Sequence, residues 1–360
     1  MLRRRFLFKR KTASSGIRTN EIWYTTNDGN ALQASADSTF STDLQKNVFA
    51  NDKGVLTYSI VELTEIPMKM FSKCDSLTTV TIPDTITSIG HYAFDDCDNL
   101  EYVNIPDGVK SLGVGAFRYC YALKEITIPD NVSLITTYTF WGCRSLTSIK
   151  LPYKVTSIGE SAFRQCSGLT SISLPNNVES IGSFAFNGCT GLTSVSMQRK
   201  VTSIGNEAFS GCTKLANVTL SDNLKTLGNY VFLNCTSLKN ITIPSSVTSI
   251  GNSVFYGCYG ITSITIPDGV TTIGTSMFYG CTNLGSVTIG SGCTSIGTNA
   301  FYNCKNLKKI YCKATTPPTV DSTTFTNVPT TCVVYVPTSA VSSYQAMAGW
   351  GAFTIQGYNF

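Results

Sequence analysis

Few residues in this 360-residue chain could do chemistry, and their spacing limits what that chemistry could be. There is one histidine, His91, so a multi-histidine metal centre has no ligands to build from. Cys97, six residues further on, could pair with it as a nucleophile, but it belongs to a cysteine column that recurs every 23 residues and is expected to point inward. A thiol among apolar side chains is inert, because burial favours its protonated form. His91 follows Gly90 on a corner and is expected at the surface. Asp95, Asp96, Asp98 and Glu101 crowd one turn with oxygen ligands suited to Ca²⁺, yet no Asx-x-Asx-Gly loop or bidentate Glu at EF-hand spacing accompanies them. A solvated acidic edge is expected there. No Gly-rich phosphate loop joins a strand to a helix. The chain is therefore expected to be no enzyme, with no catalytic residue, no metal site and no cofactor.

What remains is aromatic. Trp141, Tyr256, Tyr279 and Tyr302 each stand one residue after a recurring Phe, and the last three fall on consecutive repeats, about 5 Å apart if the repeats stack as strands. Tyr121 and Tyr259 lie close by in sequence. Exposed aromatic columns suit protein hot spots and sugar stacking, since a ring supplies large area at low entropic cost; rings packing on one another to cover an edge is the structural alternative. Of the 22 outward strand positions, 14 are Ser or Thr, which offer little area. The larger exceptions are Tyr102 and Glu125 near the start, Lys309 and Tyr311 near the finish, and Lys150 between. Candidate ligand contacts are thus Trp141, Tyr256, Tyr259, Tyr279, Tyr302, Tyr102, Glu125, Lys309 and Tyr311, and replacing the three column tyrosines by Ser is expected to weaken binding with little change in Tm.

The elements that position these residues follow from a repeat. Cysteine recurs eleven times from Cys74 to Cys304 at a spacing of 23 without insertion, each preceded three residues earlier by Phe, from Phe71 to Phe301. Phe325 continues the Phe column after one inserted residue, with Val328 in the Cys position. Within one repeat, Val195 and Met197 alternate with Ser194 and Ser196, the signature of a strand with one buried face. Pro follows the strand in seven repeats and ends it. Val201 and Ile204 place two more side chains inside on a second extended segment. Gly205 then predicts a positive-φ corner, as Gly does in nine of ten complete repeats, Thr136 being the exception. Ala208, Phe209 and Cys212 share one face of a short helical or 3₁₀ turn. A single coil of this kind cannot bury its own apolar face, so neighbours must stack. Parallel Cβ vectors argue for free column thiols; Cys293 and Cys312 occupy apolar columns, and Cys312 with Cys332 is the one pair that could bridge.

Composition agrees. Apolar residues make up 42% and charged residues only 14%, and no window holds the 18 apolar residues of a membrane-spanning helix. Seven of the 27 Lys and Arg lie in residues 1–20 and none of the 22 acids does, so the rest of the chain carries −2. That body lacks the basic stripe nucleic acid needs. The expected organisation is a basic disordered tail at 1–20, an N-terminal β cap at 21–62 that includes a turn at Asn27-Asp28-Gly29, a solenoid at 63–330, and a C-terminal cap at 331–360 with a strand over Cys332–Val336 and an amphipathic segment over Ala340–Trp350. The apolar stretch Phe6-Leu7-Phe8 is too short for a secretory h-region.

The consensus LxxVxIPxxVxxIGxxAFxxC resembles the BspA-type, or Treponema-type, leucine-rich repeat family of bacterial surface proteins, over residues 63–328. Tyr311-Cys312-Lys313-Ala314-Thr315-Thr316-Pro317-Pro318 and Val334-Tyr335-Val336-Pro337 are similar to the closing segment of such proteins in gut bacteria. The resemblance implies a leucine-rich-repeat solenoid, right-handed and parallel, with one main strand per 23-residue repeat and capped ends. It also implies a non-enzymatic adhesion or protein-interaction module at the cell surface or outside the cell, here a monomer with a protein partner. The short apolar stretch at the start leaves a cytoplasmic location open. A glycan bound on the tyrosine column, or a structural or receptor-binding role in a phage-like appendage, stays as the alternative.

Overall fold

The computed structural model describes residues 17–33, 44–59 and 62–360. From Leu63 onward the chain winds into a parallel β-solenoid. Strands such as Ser171–Ser173 and Ser194–Ser196 pair in parallel, Ser171 opposite Ser194, at the 23-residue offset, and form a first wall. Two-residue strands such as Ser180–Ile181 and Ser203–Ile204 form a second wall in the same way. Val195, Met197, Val201, Ile204, Ala208, Phe209 and Cys212 all point inside and are buried. The Phe rings of successive coils stack at 5.1–5.7 Å from Phe71 to Phe325, which stays in the stack despite the inserted residue. Each column thiol from Cys97 to Cys304 donates to the carbonyl of the Phe one coil earlier, as Cys166 does to Phe140 at 3.1 Å. All fourteen cysteines are buried, and the thirteen from Cys97 onward, Cys312 and Cys332 included, are free thiols.

Two sequence expectations about the corners are corrected. The segment carrying Ala208, Phe209 and Cys212 is not helical. Glu207, Phe209 and Gly211 donate to Asn229, Val231 and Leu233 on the next coil, whereas Ser210 and Cys212 turn back to Glu207 and Phe209. A helix would use every donor internally; here every second N–H ties one coil to the next. The alternation needs left-handed backbone at Glu207 (φ 54) and Gly211 (φ 73). The Gly205 column, by contrast, is not at positive φ. A Cβ on Gly205 would lie 2.5 Å from the Ser183 nitrogen, so the column is glycine because adjacent coils approach too closely for a side chain. Thr136 breaks that column, and the ladder opens beside it. Gly113 and Gly159 donate their N–H groups to Ile89 and Ile135, but at Thr136 the side-chain hydroxyl reaches the carbonyls of Leu112 and Gly113, at 3.2 and 3.0 Å. The second-wall sheet is interrupted between Ser111–Leu112 and Leu134–Ile135.

At the N-terminal end, Glu21–Thr26 pairs antiparallel with Lys53–Tyr58 on one side and with Leu77–Thr81 on the other, closing the first wall's open edge. The tight hairpin joins Leu44–Ala50 to Lys53–Tyr58 through Asn51 and Asp52, both at positive φ, as a two-residue turn requires. Asn27-Asp28-Gly29 turns the chain but joins no hairpin of its own, because Glu21–Thr26 takes both of its partners from later in the chain. Residues 1–16 of the expected tail lie outside the described residues. Thr19 and Asn20 are docked rather than loose: their carbonyls accept from Leu63 and Tyr58. At the far end, Val333–Pro337 extends the first wall, and a short 3₁₀–helix segment over Thr338–Ala346 follows. Thr354–Tyr358 then adds one more parallel strand, which the sequence reading missed. Tyr344 and Trp350 anchor this cap from inside, donating to Ala314 and Pro318 at 2.8 Å each.

Candidate functional site

The position after Phe forms one continuous column on the turn side of the coil: Asp95, Arg118, Trp141, Arg164 and Asn187 in its first half, Tyr256, Tyr279 and Tyr302 near its end. The alternating turn backbone sets these side chains 23 residues apart on hydrogen-bonded neighbours, so each meets the next coil's residue in the same column. Tyr256 and Tyr279 stack with ring centroids 4.6 Å apart and planes parallel; Tyr279 and Tyr302 stack at 4.7 Å and 6°. All three are half-buried, and Tyr259 stands exposed beside them. Partial burial, then the two neighbouring phenols, raises the Tyr279 phenol above its ordinary value.

The first half is built differently. Arg118 grips Asp95 with two hydrogen bonds, Nε to Oδ1 at 2.7 Å and Nη2 to Oδ2 at 2.9 Å, and the carboxylate is buried. That hydrogen bond holds the guanidinium above its usual range. Arg118 also lies over the rings of Tyr92 and Tyr119, Arg144 over Tyr121, and Arg164 over Trp141 and Phe184, at 4.7–5.2 Å. Tyr119 and Tyr138 pack obliquely on Trp141. Gly115 and Gly142, both at positive φ, leave room for the Tyr92 and Tyr119 rings, which approach within 2.5 and 2.7 Å of where a Cβ would be. The expected solvated acidic edge is corrected at Asp95, which is buried and claimed by Arg118 one coil on, whereas Asp98 and Glu101 are exposed, Glu101 pairing at the surface with Lys124 at 2.7 Å. The sequence singled out Trp141 and Tyr121 here but passed over Arg118 and Arg164, which sit 23 residues to either side of Trp141 in the same column.

The other candidates lie on the first wall. Tyr102 and Glu125 occupy successive coils, and burial, followed by the Glu125 charge, raises the Tyr102 phenol. Lys309 is exposed; Tyr311 stacks on Tyr335 at 4.8 Å, with Tyr358 edge-on to both. Tyr335 and Tyr358 belong to this cluster through the parallel register of the last strands, which the sequence alone did not provide. The structure does not join this wall cluster to the Tyr256 ladder, which sits on the turn side. His91 is exposed, and its Nδ1 accepts from the Val114 N–H at 2.9 Å. The Cys97 thiol is fully buried and raised well above its ordinary value by desolvation, and burial likewise raises the column thiols from Cys120 to Cys304. A shallow open depression lined by Glu179, Arg199, Lys200 and Lys225 offers no enclosure for a small substrate. No helix among the described residues is long and apolar enough to cross a membrane.

Known proteins supply the remaining context. The chain is similar to a leucine-rich repeat protein from Bacteroides ovatus, with 25% identity and a TM-score of 0.62 over 96% of this chain and all of that one. It is also similar to a leucine rich cell surface protein from Faecalibacterium prausnitzii, at 27% identity and a TM-score of 0.44 over 82% of this chain and 94% of that one. A leucine-rich repeat protein from Eubacterium ventriosum aligns at 23% identity and a TM-score of 0.49, covering 82% of this chain and 79% of that one. No curated protein matches the sequence. The family described as BspA type Leucine rich repeat region matches residues 42–169, 134–261 and 248–348, and with most of the chain covered, the chain belongs to the BspA-type leucine-rich repeat family.

Proposed function

We propose that this chain is a non-enzymatic protein-interaction module of the bacterial surface or secreted type, and that the Tyr256–Tyr279–Tyr302 ladder is a principal contact. Family membership supports the surface role. The ladder's geometry carries the choice of ligand. Both faces of Tyr279, and one face each of Tyr256 and Tyr302, are taken up by the neighbouring ring. A sugar binds an aromatic residue through the ring face; a ladder with covered faces offers edges and hydroxyls, which suit the mixed apolar and hydrogen-bonding contacts of a protein interface. This favours a protein ligand over a glycan.

The test immobilises the full chain against a panel of extracellular-matrix proteins (fibronectin, laminin and collagen) and, in parallel, a glycan array. Saturable binding to a protein is expected, weakened tenfold or more when all three tyrosines become Ser. Because the rings also pack on one another, the triple Phe variant is run beside it: it keeps the stack and isolates the hydroxyls. Glycan binding without protein binding, or unchanged affinity in the triple Ser variant, would overturn the assignment.

A further inference from the structure

We propose that Trp141 and Arg164 form a second, separate contact, a receiving site for the carboxylate side chains of an acidic polypeptide. Trp141 Nε1 and Arg164 Nε are buried, and neither has a hydrogen-bond partner among the described residues. The two residues adjoin, with the Arg164 guanidinium 5.2 Å from the centre of the Trp141 ring. A buried donor left unmatched loses its hydration for nothing in return, and here two donors, one of them charged, share that condition on neighbouring coils. Arg118 shows what satisfies such a group in this column: a carboxylate, held by two hydrogen bonds. Arg164 has no counterpart to Asp95, since its column neighbours are Trp141 one coil earlier and Asn187 one coil on, and among the described residues no acid pairs with it.

The site's other features select among anions. Trp141 is wrapped by Tyr119, Tyr138 and Arg164, so no open ring face is left for a sugar. Asp96 and Asp98 lie on the same turn as Asp95 and the chain beyond residue 20 carries −2, so the attraction for a carboxylate is local and comes from the guanidiniums beside Trp141. Arg144, exposed and stacked on Tyr121, adds a second guanidinium for a neighbouring acidic side chain. Arg, Trp and Tyr are also the residue types that concentrate binding energy in protein interfaces.

The experiment measures the anisotropy of fluorescein-labelled heptaglutamate against the full chain in low-salt buffer. Saturable binding is expected, absent with labelled heptaglutamine. Arg164→Gln should weaken it tenfold or more, and Arg164→Lys should restore only a small part, because an ammonium cannot present the planar fork. Trp141→Phe, which keeps a ring and removes the N–H, should weaken binding severalfold and covers the case in which Arg164→Gln fails to fold. The triple Ser variant of Tyr256, Tyr279 and Tyr302 should bind heptaglutamate normally, so this site and the tyrosine ladder stand or fall separately. The proposal is overturned by an absence of saturable binding, which would mean that water alone meets the two donors. It is equally overturned by unchanged affinity in Arg164→Gln and Trp141→Phe, or by stronger binding of a hyaluronan oligosaccharide, which would make the site a glycan site.

Discussion

The two halves of the column after Phe solve one packing problem in opposite ways. In both, a side chain must match its neighbour 23 residues away. The first half matches unlike groups, carboxylate to guanidinium and guanidinium to ring; the last repeats match like to like, phenol on phenol. Inside, the Phe and Cys columns run through both halves unchanged. A solenoid stabilised by nearest-neighbour contacts thus lets its surface change chemistry from coil to coil while the core stays constant. The comparison separates two kinds of sensitivity: the interior should respond alike everywhere, and the surface differently in each half.

Alkali is the strongest lever on the shared interior. Burial lifts the thiols, Cys212 and Cys281 to about 12, whereas an unfolded thiol titrates near ~8.5. Below that unfolded value both states hold the proton and stability is indifferent to pH. Above it the unfolded chain releases protons that the native state keeps, so each raised thiol removes about 1.4 kcal/mol per pH unit until the folded value is reached. With so many such thiols, the protein should unfold within about two units above the unfolded thiol value, as followed by circular dichroism from pH 7 to 11. A melting temperature that stays level up to pH 10.5 would contradict the buried ladder. At neutral pH, thiol reagents should reach the cysteines only after unfolding, and without reductant.

Next in size come single ring deletions. Phe163→Ala beside the charged half and Phe278→Ala beside the tyrosine ladder should each cost about 3–5 kcal/mol, because each removes a fully buried ring stacked on two others. Urea unfolding measures both. Costs differing by more than about 2 kcal/mol would show that the interior is not uniform and that the surface change reaches the core. A smaller effect is confined to the first half: Asp95→Ala should cost about 2 kcal/mol by leaving the partly buried Arg118 guanidinium unmatched. In a double-mutant cycle with Arg118→Ala most of that loss should appear as coupling. Additive losses would reduce the pair to a surface ornament.

The stacked columns were legible because eleven repeats without an insertion leave one consistent assignment of inside and outside. The corners were not. A sequence reveals a glycine but not whether it supplies freedom or room: the Gly205 column supplies room, and the true left-handed positions include Tyr92, Glu207 and Tyr230, which carry no compositional mark. A clearer mark lay two residues after Phe, where Gly142, Gly188, Gly211, Asn234 and Gly257 all adopt positive φ. The helical expectation failed because the spacing of Ala208, Phe209 and Cys212 fits a helix as well as it fits a turn whose donors reach a neighbouring coil. On the surface, Trp141 stood out by size. The Asp95–Arg118 pair and Arg164 were equally visible at offsets of 23, once opposite charges and ring partners are sought between repeats rather than within one.

Thr136 gives the finest test, since it sits in the coil that carries Trp141, at a seam where it is the one departure from glycine in its column, whereas the second wall's other break, between Ser249–Ile250 and Thr272–Ile273 in the tyrosine half, keeps Gly274. The Thr136 hydroxyl, not its backbone, spans the gap to Leu112 and Gly113. The Thr136 amide should therefore exchange with solvent faster than those of Gly113 and Gly159, which are engaged in the ladder. Thr136→Gly should exchange the hydroxyl's contacts with Leu112, Gly113 and Thr139 for one backbone bond and shift stability by about 1 kcal/mol or less, drawing the two coils together and slowing exchange at residue 136. If the variant leaves that amide fast, the hydroxyl is not what holds the ladder open, and the aromatic crowding around Trp141 becomes the better explanation of the seam.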